Sequence, residues 1–364
     1  MRRIGLVLVV LLGLLISPTA AHATGSGTWK TLVTTGVGPS ERSVPAVAGA
    51  SNNWLYVFGG VKDDFTTGTN TFYNDAYVLD VRASQWRQIQ PTSAGGPAGR
   101  AFAASATTPD ARFYVFGGST YNDQGGDFHA FDDLWSLSGR VWTKLASGPV
   151  GRSGATMWSA GGKLYVFGGI GADFATRNDL WSYDIATNKW QEVLPNGAAG
   201  NPPTRHAAQA GPVAVNNQLT FYGGEGDPAQ GFPVLADTWQ FDVLRQRWTE
   251  VTPAVGDITP ARNYGAAGVL GGGLYLQGGD VPGGSAGCGA PFPQNPTNEL
   301  WRFDLTSRTW DQLKPAGEPM PRIKRHAAGV INGRLYLVSG WDFSCPGGTG
   351  PGQVWNKNTY VFTP

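Results

Sequence analysis

The sequence predicts an all-β chain built from six copies of one small antiparallel sheet, on three observations. No window keeps a sustained helical period of apolar residues. Glycine and proline are abundant, at 53 and 25 of 364 residues, and charged residues are only 15%, which fits many short strands and turns. A glycine step recurs at Gly59, Gly117, Gly168, Gly223 and Gly278, with Ser339-Gly340 as a degenerate sixth copy, 51 to 61 residues apart. A period of that size overrides the two domains that length alone would allow.

Every copy runs in the same order. An Ala- and Gly-rich strand comes first: RSVPAVAGA, RAFAASA, RSGATMW, RHAAQA, RNYGAAG and RHAAG. Small side chains suit the crowded axis of a radial array. The second strand is apolar and rich in β-formers: WLYVF, RFYVF, KLYVF, QLTFY, GLYLQ and RLYLV. The glycine step ends it, and a long loop follows. The third strand carries Tyr77, Trp135, Trp181, Trp239, Trp301 or Tyr360, and the fourth carries Trp86, Trp142, Trp190, Trp248 or Trp310. These aromatics are expected between neighbouring sheets, in structural roles.

The sixth copy has no fourth-strand Trp, because the chain ends at VFTP. Trp29, in TWKTL, lies one repeat period before Trp86. The expected fold is therefore a closed six-bladed β-propeller over residues 24–364, with the N-terminal strand completing the last blade. Closure leaves no open blade interface, so a monomer is expected.

Arg2 and Arg3 precede an apolar run, Ile4 to Ile16, and Ala21-His22-Ala23 fits a cleavage site. Residues 1–23 are therefore predicted to be a signal peptide, with a secreted or periplasmic mature chain. The run is too short to span a bilayer. Without Arg2 and Arg3 the 27 basic residues become 25, against 26 acidic ones. That balance argues against nucleic acid or an anionic membrane as partner. Cys288 and Cys345 lie in corresponding loops of neighbouring blades and are expected to form a disulfide after export.

Six long loops follow the second strands: 61–73, 119–131, 170–177, 225–235, 280–297 and 341–357. All fall on one face, where function is expected. Two rings of charge meet there. Arg42, Arg100, Arg152, Arg205, Arg262 and Arg325 each open an innermost strand, and Asp75, Asp133, Asp179, Asp237 and Glu299 open third strands, with Asn358 in the sixth copy. Arginine and acid at the same end of one sheet can pair. The arginines can equally line a mouth for an anionic or hydrogen-bonding ligand. The sequence leaves both open, and some residues can do both. The loop aromatics Phe65, Phe72, Tyr73, Tyr121, Phe128, Phe131, Phe174, Phe232, Phe292, Trp341, Phe343 and Trp355 either pack the loops or form platforms for a sugar or peptide.

Chemical motifs are sparse. Gly283 to Gly287 match G-x-S-x-G, but without the strand and helix that a nucleophile elbow needs. Asp123, Asp127, His129, Asp132 and Asp133 crowd one loop at no recognised metal spacing, so a solvated acidic loop is expected. His206 and His326 each follow an arginine of the ring. No metal or cofactor is expected.

The order of small-residue strand, LYVFGG, [N/D]-D-L-W-x-Y-D and W resembles the Kelch repeat, in six copies over nearly the whole mature chain. The second copy departs from it, LWSLSGRVW lacking the Asp. Arg152, in RSG, resembles the position that supplies ligand-binding arginines in Kelch substrate adaptors. The resemblance implies a propeller that binds a glycan, peptide or protein through its long-loop face and channel mouth. The family also includes enzymes. The residues of its copper-radical oxidases and iron-dependent specifier proteins find no counterpart here. Its secreted sialic-acid mutarotases offer the alternative, an enzyme of small sugars with Glu225 as acid/base beside Arg205.

Overall fold

The computed structural model describes residues 26–64, 68–122, 127–254, 257, 259–285, 294–344 and 352–364. Six antiparallel blades surround a central channel. Blade 1 runs outward from the axis through Ala46–Gly49, Trp54–Phe58, Ala76–Asp80 and Gln85–Ile89. Blades 2 to 5 repeat that order, beginning with inner strands Ala104–Thr107, Thr156–Ala160, Gln209–Ala210 and Ala266–Leu270. Blade 6 holds Ala327–Ile331, Arg334–Val338 and Thr359–Thr363, with Thr28–Leu32 as its fourth strand. That strand pairs antiparallel from Thr28↔Thr363 to Leu32↔Thr359, so both ends of the described chain lie in one sheet.

The second strands are apolar throughout because a blade is covered on both faces. Leu55, Tyr56, Val57 and Phe58 are all buried. Six apolar clusters result, one between each pair of neighbouring blades. The fourth-strand Trp of one blade packs on the last second-strand aromatic of the blade before it. Ring centroids are 5.2 Å apart for Phe58 and Trp142, 4.9 Å for Phe167 and Trp248, and 5.1 Å for Tyr222 and Trp310. Burying each such side chain contributes roughly 1.5–3 kcal/mol. At the axis the inner strands nearly touch. A Cβ on Gly49 would stand 2.3 Å from the Val330 carbonyl oxygen, so no larger residue fits there.

The long loops lie on one face and fold back as small hairpins, such as Val61–Asp64 with Thr69–Phe72 and Trp341–Ser344 with Gly352–Trp355. In blade 4 the strands themselves extend, to Gln218–Glu225 and Val234–Asp242, joined through a 3-10 turn at Pro228–Gln230. The segment expected to be a loop from Glu225 to Leu235 is thus largely the tip of a ribbon. Among the described residues no helix is long and apolar enough to cross a membrane.

Candidate functional site

Two layers of polar residues face the long-loop side, and the first is a buried ring. Arg42 donates to Asp75 at 2.5 and 3.0 Å, Arg152 to Asp179 at 2.7 and 3.0 Å, and Arg205 to Asp237 at 2.6 and 2.7 Å. Arg100 makes the same two-pronged pair with Asp133, and Arg262 reaches Glu299 at 2.8 Å. Each Nη1 also donates to the carbonyl of the first step glycine, Gly59, Gly117, Gly168, Gly223 or Gly278, at 3.0–3.1 Å. Two residues along the third strand, on the same face, the indoles of Trp135, Trp181, Trp239 and Trp301 donate to the same acids. That spacing accounts for the recurrent acid-x-Trp, in which x is Leu134, Leu180, Thr238 or Leu300. Burial alone would raise the Asp133 carboxyl, but Arg100 and Trp135 hold it below the usual carboxylate range. All five arginine side chains are 0% exposed, so the geometry realises the ion-pair arrangement and leaves no guanidinium of the five at the surface.

Arg325 does not complete this ring. Gly60, Gly118, Gly169, Gly224 and Gly340 donate their backbone N–H to the carbonyls of Arg100, Arg152, Arg205, Arg262 and Arg42, and Gly279 donates to Ile323. Ile323 therefore holds the sixth ring position, opposite the uncharged Asn358. The sequence expectation placed Arg325 there because RHAAG in copy six reads like RHAAQ in copy four. The true register is shifted by two residues.

Arg325 belongs to a second layer, a belt around the channel mouth. Val44, Phe102, Gly154, Ala207, Tyr264 and Arg325 occupy equivalent positions and share left-handed backbone, with φ from 45° to 64°. Backbone hydrogen bonds tie the belt together. Phe102 donates to Val44, Gly154 to Phe102, Ala207 to Gly154, Arg325 to Tyr264 and Val44 to Arg325. A β-branched valine at φ 45° is a costly conformation that persists only because the surrounding ring imposes it.

Flanking the belt, each blade bridges one residue of its opening segment to the residue after the glycine step. In blades 1 to 3 these pairs are Ser43 with Val61, Ala101 with Ser119 and Ser153 with Ile170. In blades 4 to 6 they are His206 with Glu225, Asn263 with Asp280 and Lys324 with Trp341. At these positions blades 1 to 3 carry no charge, whereas blades 4 to 6 carry four ionisable side chains, Asn263 and Trp341. Glu225 accepts from Tyr264 Oη at 2.6 Å and Asn263 Nδ2 at 2.9 Å, and lies 3.1 Å from His206 Nε2. Arg325 donates to Asp63 at 2.6 Å beneath the rings of Phe102, Tyr264 and Trp341. Lys324 pairs with Asp280, and burial pushes its ammonium down to about 8 against the opposing pull of that carboxylate.

A family model described as the KLHDC2/KLHL20/DRC7 Kelch-repeats domain matches residues 19–146 and 96–279, which together span well over half of the chain. The chain belongs to the Kelch-repeat family. Among curated relatives, this Kelch propeller is 27% identical over 266 residues to Kelch domain-containing protein 10 of Xenopus laevis, covering 70% of this chain and 60% of that protein. It is 26% identical to the human protein of that name, covering 70% of this chain and 56% of the relative. Human Kelch domain-containing protein 3 is 28% identical over 202 residues, 52% of this chain and 48% of the relative. The chain thus spans about 60% or less of the length of these relatives.

Around the Kelch mouth the remaining sequence candidates separate. Glu225 does not meet the Arg205 guanidinium, which is held by Asp237; its neighbour is His206, one residue on. Burial would raise the Glu225 carboxyl, but His206, Tyr264 and Arg325 together hold it below the usual range. The Tyr264 hydroxyl is pushed well up, by its burial and by the Glu225 charge. Tyr73 and Phe131 cover the ring guanidiniums of Arg42 and Arg100, at 4.1 and 3.8 Å. Phe72, Tyr121, Phe102, Tyr264, His206 and Phe232 instead form a row of ring contacts across the mouth, with centroids 5.1–6.4 Å apart.

Among the described residues no three His, Cys, Asp or Glu side chains group as metal ligands. Asp133 is taken by the ring, and His129 is exposed against Phe131. Asp123, Phe65, Phe292, Cys288, Cys345, Ala286, Gly287 and residues 1–23 lie outside the described residues. Sequence reasoning missed Asn263, Tyr264, Asp280, Lys324 and Asp63. Their only signal was departure from the repeat at equivalent positions.

Proposed function

We propose that this Kelch propeller is a binding module that takes a segment of polypeptide across the mouth of its long-loop face. The observation that carries this is the asymmetry of the mouth. Two equivalent positions per blade are uncharged in all of blades 1 to 3, and become His206, Glu225, Asn263, Asp280, Lys324 and Trp341 through blades 4 to 6. A peptide offers backbone amides to such polar groups and side chains to the aromatic row. The charges here are paired and preformed, which favours recognition without costly reordering.

Peptides selected from a displayed library against the parent protein provide the test. Asn263→Ala and Tyr264→Phe are each expected to weaken the selected peptides about tenfold, close to 1.4 kcal/mol. Ser43→Ala, in the uncharged half, is expected to leave them unchanged. Equal affinity for all three variants would move the site elsewhere. Binding to a glycan array with no peptide selected would replace the polypeptide by a sugar.

One contact favours an enzyme of small sugars as the second reading. Glu225, His206 and Tyr264 touch one another as a proton-transfer set would. Against it, Glu225 is already engaged by three partners and held ionised. Turnover of a small sugar by the parent, abolished in Glu225→Gln, would establish that reading.

We also propose export after cleavage at Ala23, with a Cys288–Cys345 bridge. Intact-mass and peptide mapping without reductant are expected to show Thr24 as the first residue and one linked peptide pair. Two alkylatable thiols in the exported protein would exclude the bridge.

A further inference from the structure

The turns between first and second strands, and between third and fourth, lie on the face opposite the long loops, because each blade is antiparallel throughout. Except for 211–217 in blade 4, none of these turns exceeds five residues. The face is therefore even, and the charge its turns carry lies near one plane. That charge is one-sided. The turns and the residues flanking them hold nine Lys and Arg against five Asp. The rest of the chain after residue 23 holds sixteen Lys and Arg against twenty-one Asp and Glu. The near-neutral total that argues against an anionic membrane hides this separation between faces.

Acids and cations differ here in what they do. Asp80, Asp184, Asp242 and Asp304 end the third strands of their blades, and each accepts backbone N–H groups of the turn that follows, at 2.9–3.1 Å. They shape the turns. The cations have no such duty. Arg82, Lys189, Arg308 and Arg334 are exposed and enter no ion pair among the described residues. Arg140 and Arg245 are exposed too, each with one side-chain contact, to the Gln90 carbonyl at 2.7 Å and to Asp242 at 2.6 Å. Their places within the turns differ from blade to blade, so the repeat does not require them, yet every blade supplies one. Beside two of them stand exposed apolar side chains. Leu244 precedes Arg245 and is 76% exposed, and Val141 follows Arg140 and is 46% exposed.

We propose that this short-turn face docks on the surface of a bilayer rich in anionic phospholipid. Charge complementarity selects an anionic partner, and the separation of charge turns this face towards it during approach. One exposed cation per blade, spread around the ring in one plane, matches a flat partner. A linear polyanion meets only a row of them. Near an anionic bilayer each such cation strengthens binding about fivefold. The two apolar tips enter the boundary between headgroups and acyl chains, while the arginines next to them stay with the phosphates. Docked in this way, the propeller holds its long-loop mouth away from the lipid and open to solvent. The proposal does not depend on what the mouth binds.

Co-sedimentation with vesicles tests it, using the chain from Thr24, which holds every strand of the propeller. Vesicles of phosphatidylcholine with phosphatidylserine are expected to bind at least tenfold more tightly than phosphatidylcholine alone, and salt that shortens the Debye length to about 3 Å is expected to release the protein. Arg82→Glu combined with Arg308→Glu is expected to weaken binding at least twentyfold, about fivefold for each cation lost. Arg82→Lys combined with Arg308→Lys is expected to keep it, and Leu244→Ser to weaken it about threefold. All three positions are exposed, so each variant is expected to melt with the parent. Asn263→Ala is expected to leave vesicle binding unchanged, and a peptide held at the mouth is expected to stay bound on the vesicle. Equal binding to neutral and anionic vesicles, or none to either, overturns the proposal. So does binding that survives the paired change to Glu. Retention on heparin or duplex DNA without vesicle binding replaces the bilayer by a linear polyanion. Loss of the peptide from the mouth with vesicle binding intact removes the mouth reading and leaves this one standing.

Discussion

The buried ring and the mouth lie only a residue or two apart along the chain, yet they use charge in opposite ways. In the ring the same pair recurs in five blades, each guanidinium closed off from solvent and tied to its carboxylate, a glycine carbonyl and the carbonyl two residues before it. At the mouth no pair recurs. His206 meets Glu225, Lys324 meets Asp280, and Arg325 crosses from blade 6 to Asp63 of blade 1. Charge repeated with the fold serves the fold, holding the end of each inner strand to its third strand. Charge that breaks the repeat, beside strained backbone, is what a binding site requires.

The largest expected effect lies in the ring. Arg152→Ala leaves Asp179 buried without its partner and is expected to cost about 3–5 kcal/mol in urea denaturation. Replacing both, as Arg152→Met with Asp179→Leu, is expected to restore most of that loss. Asn263→Ala at the mouth is expected to change stability by less than about 1 kcal/mol. Similar losses at both places would erase the distinction between the layers.

Acid sharpens the comparison next. Burial pushes the His326 imidazole from its ordinary 6.5 down to about 3. The unfolded chain therefore takes up a proton below pH 6.5 that the folded chain refuses until about pH 3. Stability from this residue is present at neutral pH and is lost as pH falls through that window. The loss between pH 7 and pH 5 is about 2 kcal/mol. Other groups titrate over the same range, so the measurement is the difference in slope between parent and His326→Gln by thermal melts. Identical slopes would show that His326 is not held neutral.

The smallest expected effect concerns the missing sixth pair. Asn358 is exposed and faces Ile323 rather than arginine, so Asn358→Asp is expected to shift stability by no more than about 0.5 kcal/mol. A loss of several kcal/mol there would mean that the sixth blade closes its ring by another partner.

Most of the fold was legible in the chain itself. The second strands are apolar and end in glycine, the fourth strands carry Trp, and the absent sixth Trp pointed to Trp29. These are local patterns, and each is read by contacts that every blade repeats. The pairing of arginine with acid was legible as one of two outcomes. Packing chose between them, because the loops and Tyr73 or Phe131 cover the guanidiniums. Arg325 was misplaced because its neighbours His326, Ala327 and Ala328 copy the string that follows Arg205. Only the backbone bond from Gly279 to Ile323 shows the shift.

The sequence by itself determined the number of blades, the order of strands within them and the strand that closes the ring. Only the tertiary structure decided the belt and the partners of Glu225, Lys324 and Arg325. The reason is physical. Strand formation and inter-blade packing depend on periodic side chains that each repeat supplies for itself. The mouth depends on residues that meet across the axis, such as Arg325 with Asp63, 262 positions apart, and closing the ring is what brings them together.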